Sequence, residues 1–449
     1  MAEPDEAKPG VVLKEAKQPG EALPVKWDWV ERSIWTERML EALVKGVKGG
    51  VWFSLIDKVF RSGTLYAAWA TVKRNGGSAG TDHQRIKDFE RDLEEEIECL
   101  AEELRTGKYR PRPIRRVYID KPGSKEKRPL GIPCVRDRVV QAALRLVIEP
   151  IFEKDFVPHS YGFRPGRGSK DALREVDRLL KAGYTHVVDA DLKAYFDSIP
   201  HEPLMTDIGR HIADGRVLEL IEGFLKQGIL EGIALWTPEK GSPQGAVISP
   251  LLANLYLHPV DTAMAAAGHE MIRYADDFVI LCRSREEAEK ALALVQRLTL
   301  ERGLTLHPDK TRVVDIASPG QGFDFLGYHF EGSTRRPRKK SLKKLKDTIR
   351  SKTGRSNGHS LAVIIEEVNR SLRGWFEYFK HSNKWTFPSI DSWVRRRIRS
   401  ILRKRTGLKG ISRGHDHQRW PNHFFRDHGL FSLVDAHSTL LQSSQREHH

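Results

Sequence analysis

The chain has 449 residues, of which 39% are hydrophobic and 30% charged. At roughly 100–200 residues per domain, this length allows two or three domains with buried cores. No apolar run approaches the ~20 residues of a membrane span, and the acidic start lacks the apolar core of a secretory signal. The widely spaced Cys99, Cys134 and Cys282 predict reduced thiols, so we expect a cytoplasmic protein without a disulfide framework or a zinc site.

The positive charge is concentrated in one region. Lys and Arg outnumber Asp and Glu by 75 to 60, a formal charge of +15. Residues 331–413 hold 24 basic and 6 acidic residues, whereas the remainder is slightly acidic. Like charges crowded on one helix repel one another unless a polyanion offsets them. The segment RRRIRSILRKR therefore predicts a nucleic-acid-binding helix, with the candidate contacts Arg395, Arg396, Arg397, Arg399, Arg403 and Lys404.

The predicted elements change in character along the chain. Residues 1–25 lack periodicity and favour a flexible tail. Alternation around a glycine-bearing turn predicts a hairpin over 114–133, and short strands are expected in THVVDADL, MIRYADDFVILCR, VVDIA and FDFLGYHF. Apolar spacing predicts helices over 64–74, 86–105, 138–153, 170–181, 216–230, 248–257 and 285–301. The mixture predicts an α/β or α+β domain up to about residue 330, and long one-faced helices after 340 predict an all-helical basic module.

Aspartates stand where two predicted strands end. Asp191 closes an apolar strand, while Asp276 and Asp277 lie between MIRY and FVIL. Adjacent residues of a strand point to opposite faces, so both members of the pair can face one site only in the turn of a tight hairpin. Carboxylates brought together from two strands repel unless a cation lies between them, and Mg²⁺ suits such a site beside substrate phosphates. An isolated Asp-Asp pair, however, often only decorates a turn.

Other motifs contain groups suited to nucleotides. Lys121 and Arg128 flank the predicted hairpin turn, where two cations can clamp a triphosphate. Gln244 lies in a Pro/Gly loop before a helix, and Tyr195 follows Asp191 by four residues. Each feature alone also fits a structural role: a solvated hairpin, a helix cap or a half-buried core tyrosine. Arg164 and Arg167 stand among aromatic residues in YGFRPGR, which suits stacking and phosphate contact.

Taken in order, these motifs resemble those of bacterial group II intron-encoded reverse transcriptases, also called maturases. The resemblance extends over about residues 35–410, most of the chain. The motifs that carry it are NGGSAGTD, KPGSKEKRPLGIP, YGFRPGR, VVDADLKAYFD, SPQGAVISPLLAN, YADDFVIL, LTLHPDKT and FDFLGYHF.

The resemblance implies an α+β right-hand polymerase fold with an all-helical basic thumb. Its fingers would lie mostly in 26–184, its palm mostly in 185–330 and its thumb, or maturase domain, in 331–413. Residues 414–449 would form a His-rich tail with His415, His417, His423 and His428, for which docking or nucleic-acid contact is favoured over a metal site. Family members often end in a DNA endonuclease with paired cysteines, and no such cysteine pairs occur here.

The resemblance also implies roles for individual residues. Asp191, Asp276 and Asp277 would bind two Mg²⁺ ions, with Mn²⁺ as an alternative, and catalyse nucleotidyl transfer. Lys121 and Arg128 would hold the incoming triphosphate, with Lys125 and Lys127 as competing candidates. The remaining nucleotide-site residues would be Tyr195, which selects the sugar, Gln244, which lines the site, and Lys310, which lies near the triphosphate.

The expected function is RNA-directed DNA polymerisation combined with assistance to intron splicing and mobility. The expected partners are an RNA template with a DNA primer, dNTPs, group II intron RNA and target DNA, and no membrane. Two alternatives remain at this point. One is an RNA-binding splicing cofactor without polymerase activity, and the other is a reverse transcriptase co-opted for defence or repair.

Overall fold

The computed structural model describes residues 27–120, 127–408, 410 and 414–446. The predicted flexible tail at 1–25, and both Lys121 and Lys125, lie outside the described residues. The chain divides into two compact units. The first comprises Met1–Leu179 with Val188–Val313, and the second comprises Leu180–Val187 with Val314–His449. The predicted boundaries of fingers, palm and thumb do not coincide with this division and remain predictions.

The first unit contains most of the helices. Its longest helices pack their apolar faces into one continuous core, in which the helix over 135–153 is buried along nearly its whole length. In chain order the helices are α1 (Glu37–Lys45), α2 (Ile56–Val59), α3 (Ser62–Asn75), α4 (Ile86–Arg91), α5 (Leu93–Thr106), α6 (Val135–Glu153), α7 (Ser169–Lys181), α8 (Tyr195–Ser198), α9 (His201–Gly209), α10 (Gly215–Leu225), α11 (Ser249–Ala266) and α12 (Arg285–Glu301). The predicted helix over 86–105 is interrupted at Asp92, which separates α4 from α5.

Two four-stranded sheets carry the candidate motifs. The first has the order β2-β1-β4-β5, formed by β1 (Ile114–Asp120), β2 (Lys127–Ile132), β4 (Ile229–Glu231) and β5 (Ala234–Trp236). The second has the order β6-β7-β3-β8, formed by β3 (His186–Asp191), β6 (Glu270–Tyr274), β7 (Asp277–Cys282) and β8 (Arg312–Asp315). The predicted hairpin over 114–133 is confirmed, with Val117 opposite Leu130.

One predicted helix ends early. The helix expected over 216–230 ends at Leu225, and the hairpin β4–β5 follows it. Gly228 precedes β4 and packs closely against β5, because a Cβ there would lie 3.1 Å from the Leu235 side chain.

The second unit combines a small antiparallel sheet with helices. The sheet contains β9 (Phe323–Phe325), β10 (Tyr328–Glu331) and β11 (Thr334–Pro337). The helices are α13 (Lys339–Lys352), α14 (Leu361–Phe379), α15 (Thr386–Arg405), α16 (Gly414–Arg419), α17 (Asn422–Asp427) and α18 (Leu433–Arg446). The predicted one-faced helix is confirmed, since Ile364, Val368 and Leu372 are buried on α14. None of the described helices has the length and apolar character needed to cross a membrane.

The expected C-terminal tail is folded over 414–446. Trp420, Phe425 and Leu433 are buried in the same apolar cluster as α14 and α15. Asp391 on α15 fixes the last helix, because its carboxylate accepts hydrogen bonds from the backbone N–H groups of Leu433 and Val434 at 3.1 and 3.2 Å. Burial of these apolar side chains explains why the segment packs as helices instead of remaining a tail.

Candidate active site

A two-residue turn between β6 and β7 holds the first candidate carboxylates. Tyr274 pairs with Asp277 across the hairpin, so Ala275 and Asp276 form the turn itself. Ala275 has a φ of 61°, the left-handed conformation that tight hairpins require at this position and that glycine usually supplies. Asp276 thus lies in the turn of a tight hairpin, whereas Asp277 is the first residue of β7. That both carboxylates face one site remains a prediction.

Buried groups hold this turn in place. The Arg273 guanidinium donates a hydrogen bond to the Ala275 carbonyl at 2.9 Å, and Nε donates to Asp261 at 2.7 Å. Arg273 also donates to the Asn254 side chain at 2.9 Å. Gly162 approaches the turn closely, because a Cβ on this residue would lie 2.2 Å from the Ala275 nitrogen. The YGFRPGR motif therefore has a structural role in packing against the YADD turn.

The predicted nucleic-acid contact by Arg164 is wrong. Arg164 is 5% exposed, and its guanidinium forms a buried ion pair with Glu153 at 2.7 Å. It also donates hydrogen bonds to the carbonyls of Val157 and Ser160, both at 2.7 Å. A guanidinium satisfied internally in this way is not available to a phosphate. Arg167 is half-buried over the Tyr161 ring, and its contact with nucleic acid remains a prediction.

Asp191 lies at the end of β3, the strand next to β7 in the sheet. Its backbone carbonyl accepts a hydrogen bond from the His307 N–H at 2.7 Å, and Leu192 pairs with Leu306. This pairing places the following turn against the site. As a result, the Lys310 ammonium forms an ion pair with the Asp191 carboxylate.

Electrostatics connect these segments into one site. Burial raises the pKa of Asp276, and the negative charge of Asp191 raises it further. The positive charges of Arg128 and Lys310 act in the opposite direction. Asp276 is therefore within electrostatic reach of a carboxylate on β3, a guanidinium on β2 and an ammonium from the turn after residue 307. The arrangement combines two mutually repelling carboxylates with two cations.

The carboxylates fit a divalent cation by chemistry and by their mutual repulsion. Asp191, Asp276 and Asp277 offer hard oxygen ligands, which Mg²⁺ prefers. A cation between Asp191 and Asp276 would remove the repulsion that raises the Asp276 pKa. The aspartates have not converged to ligating distance, however. Among the residues that the structure describes, the one triad with ligand atoms within 4.8 Å of each other is a different set, His159, Glu175 and Glu270.

Gln244 lies in a loop that packs against β2. The Gly131 N–H donates to the Gln244 carbonyl at 2.7 Å, and a Cβ on Gly245 would lie 2.5 Å from the Gly131 carbonyl. The Gln244 side-chain amide donates to the Asp197 carboxylate at 3.1 Å. The charges of Arg116 and Arg128 lower the pKa of Asp197, while burial, the larger effect, raises it. Nothing in the sequence alone identified Asp197 as the partner of Gln244.

Tyr195 is a buried residue in the segment that follows Asp191. The residue is 2% exposed, its hydroxyl donates to the Ala253 carbonyl at 2.5 Å, and burial raises its pKa well above the ordinary value. Its ring meets the partly buried Phe196 edge-on, with centroids 5.6 Å apart. These contacts anchor the segment that follows Asp191, and selection of the sugar by Tyr195 remains a prediction.

Comparison with known proteins adds independent observations. Residues 119–330 match the family model "Reverse transcriptase (RNA-dependent DNA polymerase)", and residues 342–420 match "Group II intron, maturase-specific domain". Protein YkfC of Escherichia coli K12 is 33% identical over 345 residues, which cover 68% of this chain and 89% of YkfC. The chain belongs to the family of group II intron reverse transcriptases and maturases. Its reverse-transcriptase domain makes it an RNA-directed DNA polymerase of right-hand α+β fold that depends on divalent metal, and its maturase domain connects it with intron RNA and splicing.

Two further similarities cover less of the proteins compared. Group II intron-encoded protein LtrA of Lactococcus lactis subsp. cremoris is 39% identical over 216 residues, which cover 46% of this chain and 35% of LtrA. The chain thus matches only about a third of the length of LtrA. A chain of the solved partial Cas6-RT-Cas1–Cas2 complex is 27% identical, covering 55% of this chain and 41% of that one, with a TM-score of 0.36.

In the second unit, some of the arginines on α15 that were predicted to bind RNA form contacts within the protein instead. Arg399 on α15 is 2% exposed and donates to the Trp420 carbonyl and the Asn422 side chain, each at 2.8 Å. Its predicted contact with nucleic acid is therefore wrong. Arg403 pairs with the buried Asp416 at 2.9 Å, and Arg397 donates to the Thr353 carbonyl at 2.8 Å. Both guanidinium groups hold the fold of this unit together.

The remaining candidates on α15 differ in exposure. Arg396 and Lys404 are exposed, and the Lys404 ammonium donates to the Ser356 hydroxyl at 2.9 Å. Arg395 is half-buried. Their contact with nucleic acid remains a prediction.

A second basic surface was missed in the sequence. Helix α13 buries Leu345 and Ile349 and exposes a group of lysines. We call this group the α13 lysine face; it consists of Lys339, Lys340, Lys343 and Lys344. The helical spacing of Leu342, Leu345 and Ile349 within a lysine-rich segment was the available signal. His415, His417, His423 and His428 are exposed on α16, α17 and the residue after α17, and their docking or nucleic-acid contact remains a prediction.

Proposed function

We propose that this reverse transcriptase adds dNTPs to a DNA primer on an RNA template, using two Mg²⁺ ions held by Asp191, Asp276 and Asp277. The observation that carries the proposal is that Asp191, paired with Lys310, ends the strand next to the hairpin whose turn holds Asp276. The positive charge of Arg128 also acts on Asp276. Carboxylates for metal and cations for phosphate are the two kinds of group that nucleotidyl transfer needs.

In the proposed reaction, the primer 3′-OH attacks the α-phosphorus of the dNTP and pyrophosphate leaves. Bound Mg²⁺ would neutralise negative charge on the attacking and leaving oxygens. Arg128 and Lys310 orient the triphosphate and stabilise the charge that develops on it. Lys310 exchanges its carboxylate partner Asp191 for a phosphate oxygen. Gln244, oriented by its hydrogen bond to Asp197, lines the nucleotide site.

The test compares two carboxylate variants of the full chain. Asp276→Asn keeps the shape of the side chain and removes its charge, so we expect loss of primer extension on an RNA template with retained RNA binding. Asp309→Asn is the matched control, because Asp309 is exposed on the turn beside Lys310. It should extend primers as the wild type does. Wild-type extension by Asp276→Asn would overturn the proposed site.

We further propose that the second unit binds the parent group II intron RNA, assists its splicing and supports insertion into target DNA. The maturase match at 342–420 and the α13 lysine face support this role. The bacterial relatives YkfC and LtrA favour action in the cytoplasm. Replacing the α13 lysines by glutamine should slow splicing of the intron RNA while leaving extension of a short primer–template intact. An unchanged splicing rate would place the intron-binding surface elsewhere.

A further inference from the structure

A pocket lies beside the β4–β5 hairpin, outside the groups assigned so far to catalysis. Its volume is about 430 Å³, within the range of about 300–1,000 Å³ typical of small-molecule pockets. Strand β1 contributes Arg116, the hairpin contributes Ile229 and Trp236, and the following loop contributes residues 237–243. Asp197 completes the lining. The pocket is therefore built by β1, by the hairpin with its following loop, and by Asp197, all within the first unit.

Trp236 gives this pocket an aromatic wall. The residue lies on the edge strand β5, all of whose residues are exposed, and 43% of its own surface is accessible. The Arg116 guanidinium carbon lies 5.4 Å from the centre of the Trp236 ring. The Nε atom of Arg116 is buried and has no hydrogen-bond partner in the structure. An exposed edge strand with a large aromatic ring promotes aggregation unless it is covered. Exposed apolar surface of this kind often marks a binding site, so this surface is a candidate binding site.

The opposite wall is rigid and continuous with the nucleotide-site loop. The Gly241 N–H donates to the Ile199 carbonyl and the Ser242 N–H donates to the Phe196 carbonyl, both at 2.7 Å. Gly241 has a φ of 94°, and a Cβ there would lie 3.0 Å from the Phe196 carbonyl. The same loop carries Gln244. The pocket and the proposed nucleotide site thus share one fixed segment.

The charges that line the pocket are balanced. Arg116 and Lys240 contribute two cations, whereas Asp197 and Glu239 contribute two carboxylates. This balance disfavours an anionic phosphate as occupant and suits a flat, uncharged group with hydrogen-bonding edges. A nucleobase has these properties, and aromatic side chains stack on bases of any sequence.

We propose that this pocket stacks one unpaired base of the RNA template against Trp236, with Arg116 flanking the ring. The proposal rests on the reverse-transcriptase activity, which supplies a template with unpaired bases beside the nucleotide site. It adds a template-positioning site to the proposed catalytic groups. The stacked base would hold the template strand in register beside the Gln244 loop.

The test measures binding by the full chain without dNTPs. The probes are two duplexes of equal paired length, a DNA primer on an RNA template with an unpaired 5′ overhang and a blunt duplex. Trp236→Ala should weaken binding of the overhang duplex about fivefold or more and leave binding of the blunt duplex unchanged. Trp236→Phe retains a stacking ring and should bind both probes as the wild type does. Photo-crosslinking from 4-thiouridine in the overhang should label the peptide that contains Trp236.

Matched controls separate stacking from other effects. Ile233→Ala alters the tip of the same hairpin, where the side chain is fully exposed, and should leave both affinities unchanged. Equal affinities for wild type and Trp236→Ala, or an equal loss on both duplexes, would overturn the stacking site. Since binding is measured without dNTPs, a wild-type chain that fails to extend primers would refute the catalytic proposal while leaving this comparison valid.

Discussion

The buried ion pair beneath the YADD turn should be essential for stability. The Arg273 and Asp261 side chains are 2% and 1% exposed, and the guanidinium also donates to Asn254, Ser160 and the Ala275 carbonyl. Removing one partner of a buried pair leaves an uncompensated charge and costs about 3–5 kcal/mol. Total folding stability is typically about 5–15 kcal/mol. Arg273→Met should therefore lose a large share of the free energy of unfolding.

Urea unfolding followed by circular dichroism measures this loss. The control is Arg285→Met, because Arg285 forms an exposed pair with Glu289 on α12 and should contribute less than about 1 kcal/mol. The double variant Arg273→Met with Asp261→Asn should be more stable than Arg273→Met alone, since no unpaired carboxylate remains buried. A loss in Arg273→Met no larger than in Arg285→Met would refute the reasoning. So would a double variant less stable than Arg273→Met.

Three further predictions concern pH, salt and the C-terminal helix. Burial raises the pKa of Asp137 to about 6, so between about pH 4 and 6 the folded chain retains a proton that the unfolded chain has released. The free energy of unfolding should therefore fall by up to about 3 kcal/mol as pH rises through this window, and Asp137→Asn should remove that component. Lys343→Gln with Lys344→Gln should reduce the salt dependence of RNA binding by about 0.7–0.9 in logarithmic slope per lysine. Asp391→Ala should release α18, because the carboxylate caps its start, and limited proteolysis should then cleave near residue 432.

Each of these predictions has a control of its own. If the free energy of unfolding of Asp137→Asn depends on pH between 4 and 6 as that of the wild type does, the raised pKa of Asp137 is contradicted. Lys290→Gln, an exposed lysine on α12, should leave the salt slope unchanged, and equal slopes for all variants would exclude the α13 lysine face. Asp435→Ala removes an exposed carboxylate from α18 itself. Proteolysis of that variant should match the wild type, and similar cleavage of both aspartate variants would contradict capping by Asp391.

The sequence predicted the positions of the carboxylates better than their partners. Strand ends and a tight hairpin follow from local patterns, so Asp191 and Asp276 could be placed at strand ends from the sequence. Contacts between Gln244 and Asp197 join residues 47 positions apart, and nothing in either segment specifies the other. The same applies to Gly162, whose close approach to Ala275 depends on tertiary packing. The resemblance could assign roles to these motifs but not the contacts that position them.

The predicted RNA-binding helix α15 shows why counting basic residues overestimates the number of cations available to bind a polyanion. The apolar spacing predicted the one-faced helix α15, on which Val394 and Ile398 are buried. The partners of Arg399 and Arg403, however, lie in residues 414–446. With that segment interpreted as a tail, Arg399 and Arg403 had no visible partners. The structure supplies them as a backbone carbonyl and a buried carboxylate. Charge that is used internally in this way contributes little to the attraction of a polyanion.

The lysines of α13 present the opposite case. Their ammonium groups are exposed on one helix whose apolar residues face the core of the second unit. Phosphate contacts need cations that are free to leave water for a polyanion, and counterion release increases with each such contact. Net charge therefore predicts only that a polyanion binds the second unit. Its location depends on which cations the fold leaves exposed. This criterion favours α13 over α15, although each helix carries seven basic residues and one acidic residue.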